Sequence, residues 1–429
     1  MNKKPLRIIA RLVWILAFIA NISLALELKT ITPESFLAEN PSPERKEIID
    51  FMVHQFDSKR ISGVTQAQLD QVWQNNELKN NFRMARFQII DQKLYTESFD
   101  VCHYYFILLE YFQKLVKNYK IKDVDFIIYL REGMDNSDFI LNIKQASNAS
   151  KELLNVPAFI MFQDLNSPYE TDKFLFPDAN FLKNDWQALI NRIEHQTKDT
   201  PWGNKLNKLF WRGRATEGIY NLANFDKLIR IKLTMLSKLY PGYIDAAYSP
   251  TASPFPEDKS GKAMQKIFNY LLVGTKAVNE EEHLKYKYLA SIDGNSATGT
   301  RVPWIMLSSS ILVKQTSSKI EWFYTALKPY VHYVPVNERL TDIFTQIEWM
   351  QNHDQELQEI SVNAHNFVNN NLLPEDIDSH VVLLLNEYHS IQKDKQIIAT
   401  LQPADEALSF TALIKIMANK FIRKVKSWL

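Results

Sequence analysis

Short apolar runs alternate with longer amphipathic segments along most of this 429-residue chain, and this alternation constrains the fold more than any other feature. Runs of about four to eight apolar residues predict buried strands, and a period near 3.6 predicts helices. We therefore expect an α/β fold with a helix at 185–196. The candidate strands are residues 125–130, 158–162, 208–212, 242–248, 286–292, 310–314 and 331–336.

The length of the chain exceeds what one hydrophobic core normally organises, so two domains are expected. The polar break at 198–201 suggests a boundary near residue 203, between an N-terminal lobe (40–203) and a C-terminal lobe (204–340). The other segments are a mostly helical stretch at 44–118, a proline-rich loop at 249–262, helices that pack back on the lobes at 341–392 and a linker at 395–409.

Charge and cysteine content exclude several classes of function. The 50 Lys and Arg residues almost cancel the 49 Asp and Glu residues, so no global field favours a nucleic acid as partner. An anion site must therefore be local. Cys102 is the single cysteine, which excludes an internal disulfide framework and a zinc site built on cysteines.

Both ends of the chain suggest a membrane. A basic stretch precedes an apolar run from Leu12 to Leu26, so residues 1–26 are expected to be a signal peptide or a membrane anchor, and the sequence leaves both open. Residues 410–429 predict a basic amphipathic helix that lies on a membrane surface or docks on the core. The protein is therefore expected to be membrane-associated, with the side left open.

Two strand ends carry the residue types that bind phosphates. Arg212 and Arg214 flank Gly213 after the strand at 208–212, where ligands of open α/β sheets gather. Two guanidiniums beside a glycine can approach a diphosphate closely. Taken alone, the same pair could form ordinary surface salt bridges.

A second strand ends in a turn rich in Gly, Ser and Thr, followed by a helix expected to begin near Val302. The hydroxyls, the arginine and the free amides of such a helix start would form an anion cradle. An ordinary strand–helix connection would carry a similar sequence. The candidate residues are Asp293, Gly294, Ser296, Thr298 and Arg301.

Carboxylates after the strand at 125–130 are candidates for proton transfer. Glu132, with Asp135 in reserve, could take the proton of an acceptor hydroxyl, although a solvated turn would look alike. Asp123 and Asp125 formally match the DxD motif of metal-dependent sugar transferases, but they precede the strand instead of following it. No metal is therefore expected.

These motifs, taken in order, resemble glycosyltransferase family 90, which includes protein O-glucosyltransferases, capsule-associated proteins and lipopolysaccharide-modifying enzymes. The similarity extends over about 85–390 and is strongest over 283–336. It rests there on the KYKYL run, the Asp293-Gly294 turn, Arg301, the EWFY run that contains Glu321, and the HYVP run that contains His332. The upstream WRGR (211–214) resembles the arginine motif of the family.

The resemblance implies a GT-B-like architecture, with two Rossmann-like lobes, a cleft between them, and helical N- and C-terminal extensions. It also implies an inverting, metal-independent transfer of a glucose- or xylose-type sugar from a UDP-sugar, without a cofactor. Arg212 and Arg301 would offset the charge of the departing diphosphate, while Glu321 and His332 would lie on the donor side. The family's Arg-Asp pair is replaced here by Arg131-Glu132, which implies Glu132 as the base.

The acceptor is the least constrained part of the prediction. The scarcity of cysteine resembles the bacterial branch of the family, where the acceptor is lipopolysaccharide or another surface glycan. Two alternatives remain: a catalytically silent, membrane-attached glycan-binding protein of the same fold, and a protein O-glucosyltransferase.

Overall fold

The structure is a computed structural model. It describes residues 27–81, 83–98, 102–130, 147–167, 170, 172–183, 185–217, 220–221, 224–249, 259–271, 278–394 and 396–407. Within these residues the fold is mixed α/β and contains two large sheets, of six and five strands.

The first half of the chain supplies most of the six-stranded sheet. Its elements are α1 (Pro33–Glu39), α2 (Pro43–His54), α3 (Gln66–Gln74), α4 (Asn76–Asn81), β1 (Met84–Ile90), β2 (Lys93–Ser98), α5 (His103–Asn118), β3 (Val124–Tyr129), α6 (Asn148–Leu153), β4 (Ala158–Ile160), β5 (Gln163–Asp164), β6 (Lys173–Leu175), α7 (Ala179–Leu182) and α8 (Asp185–Asp199).

The second half supplies the five-stranded sheet and the C-terminal helices. Its elements are β7 (Leu206–Gly213), α9 (Ile229–Leu239), β8 (Ile244–Tyr248), α10 (Lys259–Leu271), α11 (Glu280–His283), β9 (Tyr286–Ser291), α12 (Arg301–Leu307), β10 (Ile311–Gln315), β11 (Lys319–Ile320), β12 (Val334–Val336), α13 (Ile343–Asn352), α14 (Asp354–Asn371), α15 (Pro374–Ile391), β13 (Gln402–Pro403) and α16 (Ala404–Ala407). All seven predicted strands and the helix predicted at 185–196 are confirmed.

The six-stranded sheet has the order β13-β2-β1-β3-β4-β6, in which β3, β4 and β6 are parallel. The prediction that 44–118 is mostly helical is wrong for β1 and β2, which form an antiparallel hairpin. Its turn residues Asp91 and Gln92 have φ of 48° and 60° and include no glycine, so the usual hairpin signal is absent. The Asp123 carboxylate accepts a hydrogen bond from the Asp91 amide at 2.9 Å and helps to hold the turn.

The five-stranded sheet, β12-β10-β9-β7-β8, is parallel throughout. Its strands are apolar because helices and loops cover both faces. One face packs with α9 and α13, and the other joins the core of the first half through the buried helix α12. A short antiparallel pair, β5 with β11, links the two halves directly.

The C-terminal segments pack on the first half. Helix α15 contacts β3 and α2, and α14 contacts α12. Two segments predicted as irregular contain regular structure. Helix α10 begins at Lys259, inside the loop predicted at 249–262, and the linker predicted at 395–409 contains β13 and α16. Strand β13 pairs with β2 and forms one edge of the sheet. The sequence did not predict β13, because this strand has only two residues.

The predicted terminal segments, 1–26 and 410–429, lie outside the described residues. Among the residues that the structure describes, no helix has the length and apolar character needed to cross a membrane.

A buried ion pair in the first sheet accounts for Asp125, the second carboxylate of the DxD sequence. Arg86 donates to both oxygens of Asp125, at 2.8 and 2.6 Å, and the two side chains are almost fully buried. Gln66 and Gln88 donate to the same carboxylate and also bind the segment at 398–401. Asp125 therefore holds the sheet together with the segment at 398–401 and does not face a ligand.

We predict that Asp125→Ala destabilises the protein by about 3–5 kcal/mol, because Arg86 would keep a buried charge without its main partner. Asp123→Ala is the matched control and should cost about 1 kcal/mol or less, since it removes one exposed hydrogen bond. Urea unfolding measures both. Equal losses would contradict the structural role assigned to Asp125.

Candidate active site

A cleft of about 180 Å³ opens where strands of both sheets end. Its walls come from the residues after β4 and β6 on one side and after β7 and β9 on the other, which are the carboxyl ends of parallel strands. Three arginines and one carboxylate face this space. The lining residues are Tyr104, Phe162, Asp178, Asn180, Gly213, Arg214, Thr216, Arg230, residues 294–299 and Arg301.

Arg230 joins the two loops that form the second-sheet wall. It lies in the first turn of the helix α9, and its guanidinium donates to the carbonyl oxygens of Ile292 (2.8 Å), Asp293 (3.0 Å) and Arg214 (2.7 Å). The loop after β9 approaches so closely that a Cβ atom on Gly294 would lie 2.8 Å from Arg230 Nη2. The sequence analysis missed this residue, because a single arginine in an amphipathic helix carries no motif.

Arg301 brings a positive charge that is not neutralised by the protein around it. Its Nη2 donates to the Arg212 carbonyl oxygen at 2.8 Å, whereas the buried Nη1 has no hydrogen-bond partner among the described residues. Burial, with a contribution from Arg230, lowers the pKa of Arg301 to about 10. The guanidinium is still charged at neutral pH, and because Arg301 lines the cleft, its charge would attract an anion there.

Arg212 takes a different position from the one predicted. Its Nη2 forms an ion pair with Asp245 Oδ1 at 2.7 Å, and its guanidinium lies 4.4 Å from the centre of the Phe210 ring. The side chain does not line the cleft, because alternate residues of a strand point to opposite faces. Its neighbours Gly213 and Arg214 do line the cleft.

The loop after β9 lines the cleft through Gly294, Ser296 and Thr298, whereas Asp293 faces away. The Asp293 carboxylate accepts a short hydrogen bond from Ser317, and its amide donates to Gln315. Burial raises the pKa of Asp293, and nearby Lys314 opposes that shift. Asp293 therefore helps to hold the turn through contacts on the side that faces away from the cleft.

The start of helix α12 offers fewer free amide groups to an anion than the sequence suggested. Helix α12 has only seven residues, and the amides of Arg301 and Val302 point to the carbonyl oxygens of Thr298 and Gly299 at 3.4 Å. The Thr298 hydroxyl is engaged with the Ser291 hydroxyl at 2.6 Å. The cationic side chains, more than the helix amides, make the cleft attractive to anions.

Glu321 lies beneath the loop after β9 and not in the cleft. The residue is fully buried, near Asp178, the Tyr324 hydroxyl and the Gly299 amide, but neither carboxylate oxygen has a hydrogen bond of good geometry. Burial, followed by repulsion from Asp178, raises the pKa of Glu321 to about 8. If Glu321 is neutral at pH 7, the loop after β9 can pack over it without burying an unpaired carboxylate charge.

His332, expected on the donor side, is also outside the cleft. Its Nδ1 accepts a hydrogen bond from the Lys328 amide at 3.0 Å, and its Nε2 lies 4.0 Å from Glu44 of α2. The geometry assigns His332 to the packing of the turn before β12.

The predicted bases Glu132 and Asp135 lie outside the described residues. The chain leaves the described region just after β3, whose neighbour β4 contributes Phe162 to the cleft. Among the side chains that the structure describes, no group of three or more His, Cys, Asp or Glu residues is placed to hold a metal ion.

The fold and the site define a class: an α/β protein with a cationic cleft at the carboxyl ends of its strands. A sequence model described as glycosyl transferase family 90 matches residues 56–409, most of the chain. The protein therefore belongs to glycosyl transferase family 90.

Individual relatives are similar over part of their length. Protein O-glucosyltransferase 2 of Danio rerio is 29% identical over 194 residues, which cover 45% of this chain and 35% of that protein. For protein O-glucosyltransferase 1 of Homo sapiens the identity is 28% over 203 residues, covering 47% of each chain. The chain thus matches about a third to a half of these curated relatives. A glycosyltransferase from Rickettsia africae aligns over 57% of this chain and 68% of its own, at 11% identity and a TM-score of 0.33, which is too low to support an argument.

We predict that Glu321→Gln changes how stability depends on pH. The pKa of Glu321 is about 8 in the folded protein against an ordinary 4.5, so the folded state holds this proton more tightly than the unfolded state. The stability that protonation contributes is complete below pH 4.5 and is lost as the pH rises to about 8.

The glutamine variant lacks this titration. Its stability relative to the original protein should therefore rise between pH 5 and pH 8 by up to about 1.4 kcal/mol per pH unit. Urea unfolding at several pH values measures the difference. A difference that does not change with pH would contradict the raised pKa.

Proposed function

We propose that this protein transfers a glucose- or xylose-type sugar from a UDP-sugar to an acceptor hydroxyl, with inversion and without a metal. The observation that carries the proposal is the buried Arg301 Nη1, a cationic donor without a partner among the described residues, at the edge of a cleft that Arg214 and Arg230 also line. A diphosphate supplies the anionic oxygens that such a group lacks.

The proposed reaction is a single displacement. The acceptor oxygen forms a bond to the anomeric carbon as the bond from that carbon to the diphosphate oxygen breaks, and UDP leaves with the electron pair. Glu132, or Asp135 in its place, takes the acceptor proton. The guanidiniums of Arg301 and Arg214 stabilise the charge that grows on the leaving diphosphate, the role that a divalent ion has in other transferases.

The architecture that suits this reaction is GT-B-like. Residues 40–203 would form the acceptor-side lobe, residues 204–340 the nucleotide-sugar lobe, and 341–392 the helices that pack back on them. The support for this division is that each large sheet directs the carboxyl ends of its parallel strands toward one cleft. The donor would then lie against the arginines of the second sheet.

For the acceptor, we propose lipopolysaccharide or another surface glycan. The single cysteine agrees with a chain that does not depend on disulfides, and the sequences of 1–26 and 410–429 agree with attachment to a membrane. A second candidate is a protein hydroxyl, which the names of the curated relatives favour. Product analysis after incubation with each acceptor class distinguishes the two.

We predict opposite outcomes for two arginine substitutions. Arg301→Met should lower the affinity for UDP at least tenfold while the midpoint of thermal unfolding stays equal or rises, because methionine fills the space without a buried charge. Arg212→Met should keep the UDP dissociation constant within about threefold and lower stability, because Asp245 loses its ion pair.

Calorimetric titration with UDP and thermal unfolding of both variants provide the readouts. If Arg301→Met binds UDP as the original protein does, the diphosphate site is elsewhere.

We predict that the purified protein releases UDP from a UDP-sugar when a chelator is present. Glu132→Gln should lower kcat by about 10²–10⁴ with little change in UDP affinity, because it removes the proton acceptor and leaves the arginines in place. Asp123→Asn is a control that should keep full activity. Absence of turnover with every donor would favour the alternative of a silent glycan-binding protein.

A further inference from the structure

A buried histidine behind the second-sheet wall of the cleft has one ring nitrogen without a hydrogen-bond partner. His283 ends the short helix α11 and is 5% exposed. Its Nδ1 lies 2.7 Å from the Asn279 carbonyl oxygen, whereas its buried Nε2 has no partner among the described residues. A carbonyl oxygen can only accept a hydrogen bond, so Nδ1 carries the proton. The neutral imidazole therefore presents the lone pair of Nε2 inside the protein.

Two aromatic rings hold this imidazole in place. Phe210 of β7 and Trp304 of α12 meet it edge to face, with ring centroids 4.8 and 5.3 Å from its own. Trp304 follows Arg301 by three residues in α12, and residues with this spacing share one face of a helix. The imidazole thus packs against the face of α12 that carries Arg301.

Electrostatic interactions also connect α11 with Arg301. Burial lowers the pKa of His283 to about 4, and the positive charges of Arg301 and Arg212 add to this shift. Glu280, which lies in the same short helix as His283, acts on Arg301 and raises its pKa, against the larger effect of burial. The imidazole is therefore neutral at pH 7, so that it is an acceptor beside Arg301 and not a further cation.

Arg301 has the complementary deficit. Its Nη1 is buried without a partner in the part of the chain that the structure describes, and Nη2 donates to the Arg212 carbonyl oxygen. Each terminal nitrogen of a guanidinium carries two N–H groups, so Nη1 can bond an imidazole and still donate to a ligand. A buried donor and a buried acceptor are each unfavourable when left unpaired, and pairing them removes both penalties.

We propose that His283 is a positioning residue, whose Nε2 accepts a hydrogen bond from Arg301 Nη1, directly or through one water molecule, and orients the guanidinium toward the diphosphate. Because Nη2 is held by the Arg212 carbonyl oxygen, a second contact at Nη1 would fix the plane of the guanidinium. A group held in its binding orientation loses less conformational freedom when the ligand binds. This inference rests on the proposed function, which assigns Arg301 to the diphosphate.

The test compares variants of the full-length protein by calorimetric titration with UDP, with thermal unfolding to show that each is folded. His283→Phe keeps an aromatic ring and removes both nitrogens. His283→Asn can keep the bond to Asn279 but is too short to replace Nε2, whereas His283→Gln can place an amide oxygen near the Nε2 position.

His380→Phe is the matched control. His380 is also buried, packs against the Trp322 ring at 4.3 Å between centroids, and does not line the cleft. Neither of its ring nitrogens has a hydrogen-bond partner among the described residues. The control therefore makes the same change of side chain at a buried site away from Arg301.

His283→Phe and His283→Asn should each lower the affinity for UDP about tenfold, as expected for the loss of a hydrogen bond to a charged group. His283→Gln should stay within about threefold of the original protein, because it restores an acceptor. In the Arg301→Met background, His283→Phe should cause no further loss, since the two side chains act as one unit. His380→Phe should leave the affinity for UDP unchanged.

Three results would overturn the inference while leaving the proposed function intact. In the first, His283→Phe binds UDP as tightly as the original protein. In the second, His283→Gln loses as much affinity as His283→Asn, so that packing and not the acceptor matters. In the third, His283→Phe lowers the affinity further in the Arg301→Met background, so that the histidine acts elsewhere. If the original protein does not bind UDP, or Arg301→Met binds it unchanged, the proposed function fails, and the inference fails with it.

Discussion

The guanidinium of Arg230 holds together the wall of the cleft that the second sheet supplies. Its hydrogen bonds to the carbonyl oxygens of Arg214, Ile292 and Asp293 tie the loop after β7 to the loop after β9. The planar fork of arginine, which a lysine cannot reproduce, is therefore what sets the distance between the loops.

The electrostatics of the cleft follow from this arrangement. The side-chain hydrogen bonds of Arg230 go to neutral carbonyl oxygens and a hydroxyl, and its charge also acts on the nearby carboxylates of Glu217 and Asp293. It also raises the cost of burying Arg301 nearby, which is part of the reason that the pKa of Arg301 is lowered. Among the described residues that line the cleft, three arginines face one carboxylate, so the cleft would attract an anionic ligand. Sites of this kind often reduce stability in exchange for function.

The sequence predicted the elements better than it predicted the side chains. Buried strands such as β7 and β9 were recognisable because parallel strands covered on both faces read as continuous apolar runs. The hairpin of β1 and β2 was missed because its turn is held by Asp123, a contact from distant sequence. Strands of two or three residues, such as β6 and β13, are too short to show a periodic pattern of apolar residues in the sequence.

At the site, the loops were predicted and the direction of individual side chains was not. Gly213, Arg214 and Arg301 line the cleft, whereas Arg212 forms an ion pair with Asp245, which lies on the neighbouring strand. Arg230 could not be found from motifs, because its partners are brought near only by folding. A lone charged residue next to an apolar run gives no sign of which face it will occupy.

The most direct test of the account is the affinity of the protein for UDP, UMP and uridine, measured by calorimetry in the presence of a chelator. Because guanidiniums and not a metal are proposed to hold the diphosphate, UDP should bind at least tenfold more tightly than UMP, and uridine more weakly still. Equal affinities for the three ligands, or UDP binding that appears only when a divalent ion is added, would contradict the central claim.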